Sequence, residues 1–250
     1  MNNTDTTKVC LITGVGDATG SALVRRFTQG GYAVAMIARN AGRLARLGAT
    51  HHNAYAYPCD VSNLETLRET VERIQADLGQ VDVLIHNAVA HTFGTFLDAD
   101  PEELERNFRV NTTALLYLVR SLAPQMIEAK SGSIIVTGNT ASHRGVPNYA
   151  LFAPTKAAQR ILCESLARDL GPKQVHVAYI TIDAPIDVTW LGNKDEDRPS
   201  WLVPPKNWAF KREDFFADPN GIAEEVFHVC HQHHTTWSFD TVLRPFAERW

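Results

Sequence analysis

Apolar residues fall into two alternating patterns. Short continuous runs, Val9 to Ile12, Tyr32 to Ala38, Ala54 to Pro58, Val81 to Ile85, Gly132 to Thr137 and Val175 to Ile182, read as buried strands. Between them the apolar positions recur every three or four residues. Leu23, Val24 and Phe27 mark a helix starting at Ala18, and Leu64, Leu67, Val71, Ile74 and Leu78 mark another. Leu104, Phe108, Leu115, Leu118 and Leu122 form the buried stripe of a long helix opened by Asp100-Pro101-Glu102-Glu103, with a capping carboxylate and proline at the first helical position. Further helices are expected from about Ala150 to Leu170 and from Asp218 through His228, with a seventh strand at Trp237 to Leu243. Repeated strand–helix alternation predicts an α/β, Rossmann-type, doubly wound parallel sheet of about seven strands with helices on both faces.

Length and composition sharpen this little. The 250 residues suit one domain, 1–250, and 44% hydrophobic with 21% charged residues is ordinary for a globular protein. A net charge of -4 carries no basic excess, so nucleic acid is not an expected partner. The opening Met1 to Thr7 is polar without a signal-peptide pattern, and no apolar run approaches the ~20 residues of a membrane span. Cys10, Cys59, Cys163 and Cys230 are far apart and form no paired motif, as reduced thiols in a cytoplasmic protein would.

Candidate chemistry begins at Thr13-Gly14-Val15-Gly16-Asp17-Ala18-Thr19-Gly20, where the first run ends abruptly and a helix starts. Gly14 and Gly16 allow a sharp turn and close approach of a ligand, and Gly20 allows tight helix–strand packing. Helix-start amides favour an anion there, usually a dinucleotide pyrophosphate. The second strand ends in Ala38-Arg39, where an acidic residue would hold a free ribose 2′-hydroxyl and an arginine accommodates a 2′-phosphate. NADP(H) is therefore expected over NAD(H), against which stands Asp17, whose carboxylate would repel a nearby phosphate. Asp60 ends the third strand, as a ligand contact or as a turn cap. Asn111 falls on an apolar stripe, and a buried amide there must be hydrogen-bonded or serve a site.

Thr13-Gly14, Ala18, Gly20, Asp60-Val61, Asn87-Ala88, Asn111 and Lys156, in this order and spacing, resemble the short-chain dehydrogenase/reductase family over residues 8 to 185. The resemblance implies that the glycine loop cradles pyrophosphate, that Asp60 contacts adenine and that Asn87-Ala88 lines the adenosine side. It implies that Asn111 holds a helix kink and a water leading to Lys156, and that Lys156 binds the nicotinamide ribose, with Ile186 also on the cofactor side. It further implies a tyrosine four residues before Lys156 as proton donor and a serine thirteen before that to polarise the carbonyl. This chain has Phe152 and Asn139 at those places. Family members are usually dimers or tetramers joined through the helices around 101–126 and 150–170.

Asn139 can still donate a hydrogen bond, whereas Phe152 has no titratable group, and carbonyl reduction needs a proton as well as a hydride. Tyr149, His143, Asp183 and Lys156 itself are the candidate substitutes. Tyr149 lies about 10.5 Å before Lys156 along an ideal helix, against about 6 Å for position 152, so direct pairing would need the chain to fold back. Residues 189–216 break the α/β rhythm and carry many aromatics, Trp190 among them, as a lid over an apolar or ring-bearing small molecule would. His143, Phe152 and Trp190 are the expected substrate contacts. His228, Cys230, His231, His233 and His234 match no closed zinc spacing, and no metal is expected. The leading expectation is an NAD(P)-dependent oxidoreductase with a non-standard proton donor. A non-redox catalyst on the same fold (isomerase, dehydratase or cyclase) and a nucleotide-sensing binding protein are the alternatives.

Overall fold

The computed structural model describes residues 7–186 and 216–247. Seven strands, β1 (Val9–Thr13), β2 (Ala33–Ala38), β3 (Ala54–Pro58), β4 (Val81–His86), β5 (Ser133–Asn139), β6 (His176–Ile182) and β7 (Asp240–Leu243), form one sheet. Their order is β3-β2-β1-β4-β5-β6-β7, and every pair is parallel. The chain adds strands outward from β1 to β3, then crosses to the other side of β1 to lay down β4. That reversal opens a crevice at the carboxyl ends of β1 and β4, where ligands collect in open α/β sheets. Thr13 pairs with both Ile37 and His86, so the residues that follow these strands emerge at one level.

Alternation along each strand divides the core. Val9 and Leu11 face one side with Leu67, Val71 and Ile74 of α3 (Leu64–Leu78), Leu115, Leu118 and Leu122 of α5 (Ala114–Ala129) and Cys163 of α6 (Ala153–Leu170). Cys10 and Ile12 face the other with Leu23 and Phe27 of α1 (Thr19–Gln29), Leu44 of α2 (Ala41–Thr50) and Val226 and Val229 of α7 (Pro219–Cys230). A sheet covered on both faces explains why its strands read as unbroken apolar runs.

Several boundaries differ from the sequence expectation. Helix α2 has no counterpart in it, because Leu44 alone is fully buried there and a single buried position leaves no periodicity. The long helix is three segments: α4 (Pro101–Phe108), a π-helical turn over Arg109–Thr113, and α5. A π turn holds more residues per turn and rotates the buried stripe. Leu104 and Phe108 are accordingly half-buried, and Asn107 and Asn111 take the interior positions. Helix α6 starts at Ala153, not Ala150, after a turn in which Asn148 adopts φ 67°. Strand β7 starts at Asp240, because Trp237 Nε1 and Ser238 N donate to Gln232, leaving these residues outside the ladder with β6. Trp190 and the expected lid up to residue 215 lie outside the described residues.

Candidate functional site

The glycine turn is built against the end of β4. Gly14 has φ +69°, and a Cβ there would lie 2.4 Å from Ala88 Cα. Asn87 fastens this contact: its Nδ2 donates to the Gly14 carbonyl (2.8 Å), and its Oδ1 accepts from Thr137 Oγ1 of β5 (2.9 Å). A Cβ on Gly20 would lie 2.7 Å from Val15 Cα, so helix α1 packs on the glycine turn at glycine-only range. Gly16 has open space where its side chain would be. Ala18 starts α1 with no side-chain cap, and Thr19 Oγ1 is buried there with no partner among the described residues. An uncapped helix start beside the open space at Gly16 fits a dinucleotide pyrophosphate. Thr19 escaped the sequence reading because its type matches no glycine-loop role.

Asp17 is paired. Its Oδ2 lies 2.9 Å from Arg43 Nη2 and accepts from Arg43 Nε at 3.0 Å, and Arg46 Nη2 stands 3.7 Å from Oδ1. The expected repulsion between Asp17 and a phosphate is thus offset by two guanidinium groups from α2. Arg39 is exposed directly after β2 and makes no ion pair among the described residues. Asp60 is exposed and accepts from Ser62 N (2.9 Å) and Oγ (2.8 Å), capping the turn that precedes α3. Val61 beside it is buried. Ile186 forms a parallel bridge with Ala217, joining the two described segments.

On the other side of β4 the buried polar groups form one network. Asn111 Oδ1 accepts from Ala90 N (2.9 Å), and its Nδ2 donates to Ala90 O (2.9 Å) and Thr155 Oγ1 (2.8 Å). The amide thereby ties the π turn to the loop after β4 and to the start of α6. Lys156, 2% exposed, donates through Nζ to Thr137 O (3.3 Å) and to Gln159 Oε1. Gln159 Nε2 in turn donates to the Asn111 carbonyl. Gln159 thus links the Asn111 carbonyl to Lys156. Burial pushes Lys156 down to about 8 and, assisted by the nearby Lys156 charge, pushes His86 down to about 3. Neutral His86 bridges Thr13 Oγ1 (3.1 Å at Nδ1) and Val110 O (3.1 Å at Nε2). A carbonyl only accepts, so Nε2 carries the proton.

Asn139 ends β5 and accepts from Ala141 N (3.2 Å), capping the short turn Thr140–Ser142. Its Nδ2 donors have no partner among the described residues. Phe152, 3% exposed, sits among His91, Phe93 and Tyr149, with ring centroids at 6.3, 5.5 and 5.9 Å. Tyr149 stacks on Phe93 at 4.9 Å, and its hydroxyl makes no hydrogen bond among the described residues. No bond joins Tyr149 to Lys156. His91 and Phe93 come from the loop after β4, and nothing local in the sequence marks them as ring partners. His143 turns toward Thr181 Oγ1 (3.2 Å) and Asp240 Oδ2 (3.9 Å). The Asp183 carboxylate lies 3.7 Å from Arg244. A cavity of about 700 Å³, lined by Phe96, Ala141, His143, Val146, Tyr149 and Pro154, opens beside Phe152 and is mostly apolar.

His231 is hydrogen-bonded through Nε2 to Tyr32 (3.0 Å) and through Nδ1 to Phe227 O, and His233 to Thr235. Among the described residues no three His, Cys, Asp or Glu side chains converge. Cys10, Cys59 and Cys163 are buried free thiols, and Cys230 is a half-buried one. No described helix is long and apolar enough to cross a membrane.

Comparison with known proteins agrees with this fold. Residues 8–196 match the family model described as short chain dehydrogenase. The chain is 28% identical over 229 residues to 2,3-dihydro-2,3-dihydroxybenzoate dehydrogenase of Bacillus subtilis (strain 168), covering 88% of this chain and 87% of that protein. It is 30% identical over 168 residues to an NADPH carbonyl reductase of Sus scrofa, covering 67% of each. A metagenomic short-chain oxidoreductase solved in complex with NADP superposes with a TM-score of 0.77 at 25% identity, over 95% of this chain and 97% of that one.

Proposed function

Since the chain belongs to the short-chain dehydrogenase family, we propose that it is an NADP(H)-preferring oxidoreductase acting on a carbonyl or alcohol of an apolar, ring-bearing small molecule, with Tyr149 as the proton donor. The observation that carries the reading is the cradle of Gly14, Gly16 and Asn87, maintained together with Asn111 and Lys156 around an active centre whose position 152 is phenylalanine. A bound nicotinamide supplies the hydride. The glycine turn and the start of α1 hold the pyrophosphate, Lys156 holds the ribose, and Arg39 with Arg43 meets the 2′-phosphate. Asn139 offers its free amide donors to the substrate carbonyl. As that carbon gains the hydride, its oxygen takes the Tyr149 phenol proton, which solvent replaces.

Tyr149 is preferred over the other candidates by its engagements. His143 faces Asp240, Asp183 faces Arg244, and Lys156 is bonded into the fold, whereas the Tyr149 hydroxyl is uncommitted beside Phe152. The apolar cavity supports the substrate class, as does the ring-bearing substrate named for the B. subtilis relative. Association of copies through α5 and α6, where Leu116 and Ile161 are exposed, belongs to the same reading, and sedimentation measures it. NADPH oxidation with a panel of cyclic and aryl ketones is the test, and absence of turnover with all of them contradicts it.

A second reading, a nucleotide-binding protein without chemistry, is favoured by Phe152 alone. Tight NADPH binding together with no turnover in any ketone or alcohol would select it.

A further inference from the structure

Lys156 is the largest buried cation of the site, and the described residues give it no ionic partner. The groups facing it are His86 from β4 and Cys163 from its own helix α6. Both are uncharged at neutral pH, because burial lowers the imidazole and raises the thiol to about 12. Its acceptors are the Thr137 carbonyl and the Gln159 side-chain oxygen. Gln159 is itself 0% exposed, and its nitrogen is committed to the Asn111 carbonyl. Its hydrogen-bond acceptors are thus a carbonyl and a carboxamide, which neither gain nor lose a proton near neutrality, and the two titratable groups facing it are uncharged there.

We infer that Gln159 is a positioning residue that fixes the Lys156 ammonium and closes its inner side, so that Nζ exchanges protons only toward the substrate and cofactor side. The inference rests on the proposed function only in taking Lys156 as a member of the cofactor site. Gln159 stands three residues after Lys156, one helical turn on, so both side chains leave the same face of α6. The lysine then acts as an oriented charge for the ribose, and protons consumed in turnover must enter from the open side.

Hydrogen exchange of the Lys156 ammonium, followed by NMR in protein carrying 15N-lysine and assigned with Lys156→Arg, tests this without cofactor or turnover. In the wild type the Lys156 ammonium should exchange at least about tenfold more slowly than exposed Lys8. Gln159→Ala should raise that rate about tenfold by admitting water, and Gln159→Leu, which keeps the volume, should leave it slow while shifting the Lys156 Nζ resonance. Wild-type exchange as fast as Lys8, or a rate unchanged in Gln159→Ala with native far-UV dichroism, overturns the inference. Should Gln159→Ala fail to fold, the wild-type comparison and Gln159→Leu still decide it: an unmoved Lys156 resonance in Gln159→Leu refutes the contact. Ketone turnover is measured separately, so the proposed function can fail while this stands, and the reverse.

Discussion

Arg43 reaches one oxygen of Asp17 through two nitrogens, with Nε at 3.0 Å and Nη2 at 2.9 Å from Oδ2. The pair joins the glycine turn to α2. Arg43 and the exposed Arg39 are the two guanidinium groups proposed to meet a 2′-phosphate. Charge-assisted bonds of this geometry are the stronger kind, yet both partners are partly exposed and can be exchanged for a phosphate. Asp17→Asn should raise NADPH affinity about threefold to tenfold and leave NADH affinity unchanged, while Arg43→Ala should lower NADPH affinity about tenfold, the equivalent of roughly 1.4 kcal/mol. Fluorescence titration with both nucleotides measures this. Equal shifts for the two would remove the 2′-phosphate from the explanation.

In the proposed function Tyr149 is the proton donor, and Phe152 stands four residues before Lys156 with its ring 5.9 Å from that of Tyr149. Tyr149→Phe should lower kcat by about 100-fold with little change in KM, as expected for loss of a positioned acid. Phe152→Tyr in that background should recover about tenfold, because the new phenol stands nearer Lys156 along the helix. Steady-state kinetics of the single and double variants, with NADPH affinity as a control, reads the outcome. A Tyr149→Phe enzyme with unchanged kcat would transfer the role elsewhere.

Tyr179 occupies the space above Gly138. A Cβ at position 138 would lie 2.0 Å from Tyr179 Cζ, and the ring is fully buried between β5 and α6. Gly138→Ala should therefore cost about 1–3 kcal/mol by overpacking. For a chain of this size the melting temperature should fall roughly 2–4 °C per kcal/mol. Tyr179→Leu in the same chain should recover part of that loss, and an unchanged melting temperature in Gly138→Ala would contradict the contact.

His86 makes stability depend on acid. Its pKa falls from about 6.5 in the unfolded chain to about 3 in the fold, so the unfolded state binds the extra proton between those values. The contribution is complete above pH ~6.5 and is lost as pH falls toward ~3. His86→Gln should flatten the stability–pH curve in this window by up to about 1.4 kcal/mol per pH unit, whatever its effect at neutral pH. Urea midpoints from pH 7 to 4 for both proteins measure the slope, and parallel curves would refute a buried neutral imidazole.

Much of the scaffold was legible in the residues. Runs such as Val9 to Ile12 and Val81 to Ile85 read as buried strands because a doubly covered sheet demands apolar side chains on both faces. Gly14 and Gly20 read as a turn and a close packing because only glycine fits, and added Cβ atoms would indeed strike Ala88 and Val15. Asn111 read as a buried amide needing partners, and three bonds satisfy it. Helix α2 was hidden because one buried leucine makes no pattern, and the π turn because its extra residue changes rotation without changing composition.

The residues alone determined most of the elements, the direction of the sheet, the glycine cradle and the phenylalanine at position 152. Each of these depends on the spacing of neighbours along the chain. Tertiary structure alone decided that Asp17 is neutralised by α2, that Gln159 joins Asn111 to Lys156, and that Tyr149 leans on Phe93 beside Phe152. Those contacts rest on side-chain direction and on ångström distances between elements. They follow from how helices settle on the sheet, which periodicity does not encode.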